Sequence, residues 1–266
     1  MEKISLIFLR FAVMAVLSVI STPAHSQNSN QSQLDYAAAN QKLVDGDAKG
    51  AVELYEHILQ SRVRDGNLYY NLGNAYAMLN KPLKAVIAYE KSLILNPNMD
   101  DAFENLLVVR KAIDPKFDPQ SLRDAPKDPI DTIRSIVGSI SENYSALGLL
   151  VSNAMFFLAI ILFRRFSSVS IRKAMIVGMV ISALLTFTFA GVTMGHRYIS
   201  KDELAVSSKS TKLRTGPNIR FEATAKISRG SRVRILDRQG SWVEVKSRLG
   251  TIGWVPQAEI TVITTR

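Results

Sequence analysis

Residues 66–99, "GNLYYNLGNAYAMLNKPLKAVIAYEKSLILNPNM", decide the fold of the N-terminal half of this chain. The stretch predicts two helices, because Pro82 suits the start of a helix and Pro97 stops one. Gly73 and Ala85 are small, so they let the two helices cross closely. The side chains expected to fill the space between the helices are Leu72, Tyr76 and Tyr89. The stretch therefore predicts a closely packed helix pair.

The same pattern returns on both sides of this stretch. Residues 34–60 carry it one repeat earlier, and residues 101–113 repeat a first helix only, with Phe103 and Leu106 in register. The matching positions of the earlier copy are Ala39, Gly46, Asp47, Ala51, Tyr55 and Ile58. The pattern resembles the tetratricopeptide repeat (TPR). We therefore expect an all-α TPR domain over residues 34–113, made of two repeats and a capping helix.

The TPR resemblance implies a concave groove, lined by the first helix of each repeat, that binds peptide segments of other proteins. The matching positions are Tyr36, Asn40, Tyr70, Asn71, Asn74, Met78 and Asn105. Asn40 and Asn71 coincide with asparagines of TPR domains that clamp a C-terminal carboxylate. That clamp also needs Lys or Arg, where this chain has Tyr36, Asp101 and Asn105. The resemblance thus implies a peptide groove without carboxylate clamping, and a solvated face without a ligand is the alternative.

Two uncharged runs, residues 145–163 and 174–195, are each long enough to cross a bilayer. They predict a two-helix transmembrane hairpin. The connecting residues 164–173, "RRFSSVSIRK", carry four cations and no acidic residue, which favours a cytoplasmic loop. We therefore expect the segments before and after the hairpin on the exterior, periplasmic side of a bacterial inner membrane.

Residues 1–26 agree with this topology. They combine Lys3, an apolar core, and small residues at Ala24 and Ser26, as a secretory signal peptide does. An uncleaved membrane anchor is the alternative for this segment. Between the TPR and the hairpin, residues 114–144 are rich in proline and charge, which predicts a semi-rigid linker. The linker is expected to end in an amphipathic helix whose apolar face holds Ile130, Ile133, Ile136, Val137 and Ile140.

The pattern changes to short β-type runs separated by glycines over residues 205–263. The order "KLRTGP", "RGSRVRIL", "GSWVEV", "GTIGWVP" resembles the bacterial SH3-like domain, a small all-β barrel. The predicted core is Leu213, Val233, Ile235, Val243, Val245 and Val255. Some members of this family bind peptidoglycan or peptides, so Trp242 and Trp254 are candidate ligand-binding residues, with packing within the fold as the alternative. The basic residues of this region are Arg220, Arg229, Arg232, Arg234, Arg238 and Arg248.

Composition excludes several classes of function. The chain has no cysteine and a net charge of +10, and its histidines His25, His57 and His196 lie far apart in sequence. No nucleotide-binding, hydrolase or metal motif is present in the sequence, so we expect no catalytic residue, no metal site and no cofactor. A basic domain outside the cytoplasm is expected to meet anionic lipid or cell wall rather than nucleic acid.

The complete arrangement, a signal peptide, a short TPR, a membrane hairpin and a C-terminal SH3-like domain, resembles the BatE-like TPR/SH3 proteins of bacterial aerotolerance (Bat) operons. That resemblance implies a non-enzymatic scaffold in an envelope stress or aerotolerance complex. The implied partners are von Willebrand A-type membrane proteins and, indirectly, a MoxR-type ATPase. The alternative is a wall-sensing tether whose SH3-like domain binds peptidoglycan.

Overall fold

A computed structural model describes residues 26–61, 63–125, 129–137, 140–199 and 203–263. The predicted signal peptide therefore lies outside the described residues, apart from Ser26. The chain forms two compact units. One unit holds the described residues of 34–139 and 195–266, and the other holds residues 140–194 with the described residues before Leu34.

Nine helices are described before the first strand. They are α1 Ser26–Val44, α2 Ala48–Gln60, α3 Gly66–Met78, α4 Pro82–Leu95, α5 Asp100–Ile113, α6 Pro119–Arg123, α7 Pro129–Val137, α8 Glu142–Arg165 and α9 Val169–Ile199. Helices α1 to α5 are the TPR region. Their order confirms the predicted helical repeats.

The TPR helices begin and end where the sequence supplies the chemistry. The Asp65 carboxylate accepts hydrogen bonds from the backbone N–H groups of Asn67 and Leu68 at the start of α3. Pro82 begins α4, as predicted. Gly73 lies against the ring of Tyr89, so closely that a Cβ there would come within 2.5 Å of the ring. Tyr89 is buried at this crossing, which explains the small residue at position 73.

The linker over residues 114–144 is more structured than predicted. It contains the short helices α6 and α7, and its side chains Leu122, Arg134 and Val137 are buried. Helix α7 is the amphipathic helix predicted at the end of this linker, whereas the expectation of a semi-rigid tether was wrong for the part before it, because α6 and the buried Leu122 lie there. Prolines read as spacers instead stand at helix starts, since Pro119 and Pro129 are the first residues of α6 and α7.

Helices α8 and α9 are both long and apolar enough to cross a membrane. They exceed the predicted spans, so only residues 166–168 connect them, rather than 164–173. The predicted ends followed the apolar runs, whereas Arg and Lys continue a helix readily and extend their charges toward water. Within the pair, Thr186 Oγ1 donates to Ser152 Oγ at 3.0 Å, and Gly148 lies against the ring of Phe189. A small residue and paired hydroxyls thus hold the hairpin together.

The C-terminal region is a seven-stranded antiparallel sheet, as expected for an SH3-like domain. The strands are β1 Glu203–Ser207, β2 Thr211–Arg214, β3 Ala223–Ile227, β4 Arg232–Gln239, β5 Trp242–Ser247, β6 Ile252–Pro256 and β7 Ile260–Val262. Their order across the sheet is β3-β2-β6-β5-β4-β1-β7. Gly253 permits β6 to approach β2, because a Cβ there would lie 3.0 Å from the Arg214 carbonyl oxygen.

The core of the sheet confirms most of the predicted residues. Leu213, Val233, Val243, Val245 and Val255 are fully buried, while Ile235 is half-buried at the edge of this core. These valines alternate along β4 and β5 with outward-facing residues, as the period of a strand requires.

The TPR helices and the sheet share one hydrophobic core. Leu204, Val206 and Ile263 of the SH3-like domain join the buried cluster that contains Val86 and Val109 of the TPR helices. The turn before β4 also contacts the helices, since Gly230, at φ +82°, has its α-carbon facing Ile113 and Val86. We call this contact the interdomain interface. Because of it, the TPR helices and the SH3-like sheet belong to one compact unit rather than to two tethered modules.

Candidate functional site

A network of amide and phenol groups lines the predicted TPR groove. Asn71 Nδ2 donates to the Tyr36 hydroxyl and to Asn40 Oδ1, both at 3.0 Å. Asn40 Oδ1 also accepts from the Tyr55 hydroxyl at 2.7 Å. Tyr36 and Asn40 lie on α1, Tyr55 on α2 and Asn71 on α3. The network therefore ties together the first helices of two successive repeats.

The same network occurs one repeat later. Asn74 Oδ1 accepts from the Tyr89 hydroxyl at 2.8 Å and from Asn105 Nδ2 at 3.0 Å. Asn74, Tyr89 and Asn105 stand 34 residues after Asn40, Tyr55 and Asn71, which is one TPR period. Tyr70 lies against Tyr89 with ring centroids 6.2 Å apart, as Tyr36 lies against Tyr55 at 6.1 Å.

The phenols act as fixed hydrogen-bond donors. Burial raises the pKa of Tyr55 to about 12 and that of Tyr89 to about 12. Both hydroxyls therefore keep their protons at any physiological pH. Each one holds the Oδ1 atom of an asparagine in a defined direction, which leaves the rest of that amide directed elsewhere.

An apolar hollow flanks the second network. Its volume is about 270 Å³, and Met78 and Val108 form part of its wall beside Asn74 and Asn105. Met78 and Val108 are 56% and 69% exposed, so the wall of this hollow offers apolar surface to solvent. A groove that offers amide groups beside an apolar hollow suits an extended peptide, whose backbone pairs with amides and whose side chain enters the hollow.

The structure brings together all seven predicted groove residues along helices α1, α3 and α5. Six of them are half-buried, and Met78 is exposed. No lysine or arginine joins the described hydrogen bonds of these two networks. The described hydrogen bonds of these networks therefore join neutral amide and phenol groups.

The two predicted tryptophans share the outer face of the sheet. Trp254 lies opposite Glu244 across β5 and β6, and Trp242 lies opposite Pro256 on the same strand pair. Their neighbours Val243 and Val255 point into the core, so the tryptophans point out, and both are half-buried. Neither tryptophan belongs to the buried core cluster of the sheet.

The interdomain interface contains a chain of buried ion pairs that sequence reasoning missed. Glu90 of α4 is fully buried and accepts from Arg110 of α5 at 3.0 Å, and its second oxygen lies 3.5 Å from Arg232 of β4. Arg232 also pairs with Asp131 of α7 at 2.5 Å, and Asp131 pairs with Arg134 at 2.7 Å. Burial lowers the pKa of Arg110 to about 10, and Glu90 partly offsets that effect.

The signal for this interface in the sequence is weak. From the sequence, Arg232, Arg234 and Arg238 of β4 are expected to form a solvated basic face, because alternate residues of a strand lie on the same side of the sheet. Glu90 stands among apolar residues of α4, but a single glutamate in a helix is ordinary. Within the described part of the chain, no group of three His, Asp or Glu side chains could hold a metal ion.

Two families match parts of this chain. The bacterial SH3 domain family matches residues 209–261, and the tetratricopeptide repeat family matches residues 66–99. The matches coincide with the sheet from β2 to β7 and with helices α3 and α4. The chain thus contains a TPR repeat and a bacterial SH3 domain.

Curated proteins of Bacillus subtilis and Staphylococcus epidermidis have segments similar to part of this chain. A protein of Bacillus subtilis named "Putative N-acetylmuramoyl-L-alanine amidase YrvJ" is 34% identical over 83 residues, which is 30% of this chain and 15% of that protein. Proteins named "Probable cell wall amidase LytH" from two strains of Staphylococcus epidermidis are each 41% identical over 49 residues, 18% of this chain and 17% of theirs. The chain therefore spans less than a fifth of the length of these curated relatives.

Proposed function

We propose that this protein is a non-enzymatic, membrane-anchored scaffold whose TPR groove binds an extended segment of a partner protein. The observation that carries the proposal is the repeated network of Asn40 with Asn71 and of Asn74 with Asn105. In each network, the Oδ1 atom of Asn40 or Asn74 accepts the internal hydrogen bonds. The Nδ2 group of the same side chain can then donate to a carbonyl oxygen of a bound peptide. The exposed Met78 beside this row supplies an apolar contact.

The groove chemistry selects the class of partner. Without a Lys or Arg in these networks, the groove has no cation to pair with the C-terminal carboxylate of a bound peptide. The bound segment is therefore expected to be an internal one, or to place its terminal carboxylate outside the groove. Following the resemblance to Bat proteins, we propose von Willebrand A-type membrane proteins as partners, with a MoxR-type ATPase reached through them. The cellular role proposed with them is envelope stress tolerance.

Crosslinking in living cells tests this proposal. A photoreactive residue replaces Met78, whose side chain is exposed in the groove, and a matched strain carries it at Glu53, which is exposed on α2. We expect adducts with a von Willebrand A-type protein from position 78 and not from position 53. Adducts only with the protein itself or with wall material would end the scaffold proposal.

The side of the membrane is a second part of the proposal. We propose that the TPR and SH3-like regions face the periplasm or exterior, because four cations lie at the closed end of the hairpin. An alkaline phosphatase fusion after Thr265 is then active, and one within residues 167–170 is inactive. The opposite pattern of activity would reverse the topology.

The second candidate function is a wall-binding tether. Two observations favour it: the similar curated proteins are named as cell wall amidases, and Trp242 and Trp254 share the outer face of the sheet. The part of each tryptophan ring that faces outward can stack on a sugar ring or on an apolar side chain.

Sedimentation of the protein with purified sacculi separates the two functions. The full chain in detergent is used, because Leu204, Val206 and Ile263 pack on the TPR helices and would be exposed in an isolated SH3-like domain. The tether predicts retention that the change of Trp242 and Trp254 to alanine abolishes. The scaffold predicts no retention at moderate salt.

A further inference from the structure

A pocket of about 280 Å³ opens where β4, β5 and the start of α7 meet. Its wall is formed by Pro129 and Asp131 of α7, by Leu204, and by residues of β4 and of the turn after β5. The cations in this wall are Arg232, Arg234, Lys246 and Arg248. Asp131 is the single acidic residue among the described residues that line the pocket.

The ion pairs of the interface do not use all of this positive charge. Arg232 is committed to Glu90 and Asp131. Arg248 is half-buried and forms no ion pair with any described carboxylate; its guanidinium instead lies 5.7 Å from the centre of the Phe103 ring. Burial, and then the neighbouring charge of Arg232, lower the pKa of Arg248, and the charges of Glu90 and Asp131 offset only part of that effect. A half-buried guanidinium among other cations is stabilised by an anion, which would raise that pKa again.

The pocket lies close to the membrane along the chain. Leu204, in its wall, is five residues after Ile199, the end of the second apolar helix α9. Five residues span at most about 18 Å. Leu204 is therefore near, along the chain, to the end of a helix that is apolar enough to cross a membrane, and phospholipid headgroups lie just outside the hydrocarbon core. Phosphate is the anionic group common to phospholipid headgroups.

We infer that this pocket binds a phosphate group of an anionic phospholipid headgroup, with Arg248 and Lys246 as its principal contacts. Arg248 offers a planar pair of donors that suits two phosphate oxygens. Lys246, two residues earlier on β5, offers a mobile point charge. Arg232 stays paired to carboxylates and shapes the wall. The inference is independent of the partner proposed for the TPR groove, because no groove residue lines this pocket.

Native mass spectrometry of the full chain in a zwitterionic detergent tests the inference. The probes are short-chain phosphatidylglycerol, short-chain phosphatidylcholine and inorganic phosphate. We expect phosphatidylglycerol to bind more tightly than phosphatidylcholine, and the double change of Lys246→Gln with Arg248→Gln to weaken it at least about tenfold. The matched control changes Lys212→Gln with Arg220→Gln, two exposed cations of the same domain, and should leave binding unchanged.

Three outcomes overturn the inference. Equal weakening by the control pair would show that net charge alone attracts the lipid, and no weakening by the pocket pair would place the lipid elsewhere. If inorganic phosphate displaces phosphatidylglycerol at equal concentration, the site takes free phosphate and the lipid source is wrong. Because Arg248 also contacts Phe103, changing it can lower stability as well as binding. The single variant Lys246→Gln is therefore measured too, and its thermal midpoint is compared with that of the unchanged protein to separate weaker binding from weaker folding.

Discussion

The TPR groove and the interdomain interface both bury polar side chains, but they use opposite chemistry. In the groove, neutral amides and phenols form short networks that repeat every 34 residues. In the interface, one carboxylate, Glu90, is fully buried between the guanidinium groups of Arg110 and Arg232. A buried neutral group that loses its hydrogen-bond partner costs about 1–3 kcal/mol, whereas a buried charge that loses its partner costs about 3–5 kcal/mol.

That difference separates binding from assembly. The groove can exchange a hydrogen bond for a ligand at small cost, because each asparagine keeps donor or acceptor capacity after its internal bonds are formed. The interface cannot exchange partners, so it fixes the SH3-like domain on the TPR helices. A partner bound in the groove is consequently held at a fixed position relative to the sheet.

The largest expected effect tests the interface. Glu90→Gln removes the negative charge between Arg110 and Arg232 and leaves two buried cations without it. Breaking a buried ion pair from one side costs about 3–5 kcal/mol of unfolding free energy. Denaturant unfolding of the full chain in detergent measures the loss.

The matched control makes the same change at an exposed pair. Glu104→Gln removes the partner of Arg123, where both side chains are about half exposed, so its effect should be far smaller. If the two variants lose the same stability, the interface is not held by its charges and the comparison with the groove fails.

A smaller loss of stability is expected beneath the groove, at the place where helices α3 and α4 cross. Gly73→Ala would place a methyl group 2.5 Å from the ring of Tyr89, inside normal contact distance. Overpacking of this kind costs up to about 3 kcal/mol. Thermal unfolding measures it, and Gly178→Ala is the control, because a Cβ there meets no atom within 4 Å. If Gly73→Ala leaves the thermal midpoint unchanged, the two helices are loosely packed at their crossing and the groove is less rigid than the interface.

The sequence predicted that the seven groove residues lie along the first helices of the repeats, and it did not predict the interdomain interface, for one physical reason. The groove residues Asn40, Tyr70 and Asn105 fall within a repeat, so their positions follow from a period that local sequence reveals. Glu90 and Arg232 meet although 142 positions separate them, and no pattern near either residue marks the contact. The linker was misread for a related reason, since prolines at helix starts and prolines in extended spacers look alike before the packing is known.

The next prediction uses the repeat itself. Asn74→Ala removes the acceptor of Tyr89 and Asn105, and Asn40→Ala removes the acceptor of Tyr55 and Asn71. Each should cost about 2 kcal/mol, because a buried phenol loses its partner. Unfolding of both variants should give losses within a factor of about two of each other. A large inequality would mean that the two repeats do not share one network design.

The smallest effect is the pH dependence that the two buried groove tyrosines contribute. The pKa values of Tyr55 and Tyr89 are raised to about 12 from an ordinary value near 10. A group whose pKa is raised on folding adds stability below its unfolded pKa and loses it as pH rises through the folded value. The stability that these two tyrosines contribute should therefore fall between pH 10 and about 12, and their tyrosinate absorbance should appear as a late phase near the upper limit. Changing both tyrosines to phenylalanine should shrink that phase and flatten the fall, whereas Glu90→Gln should leave the phase in place if groove and interface are independent.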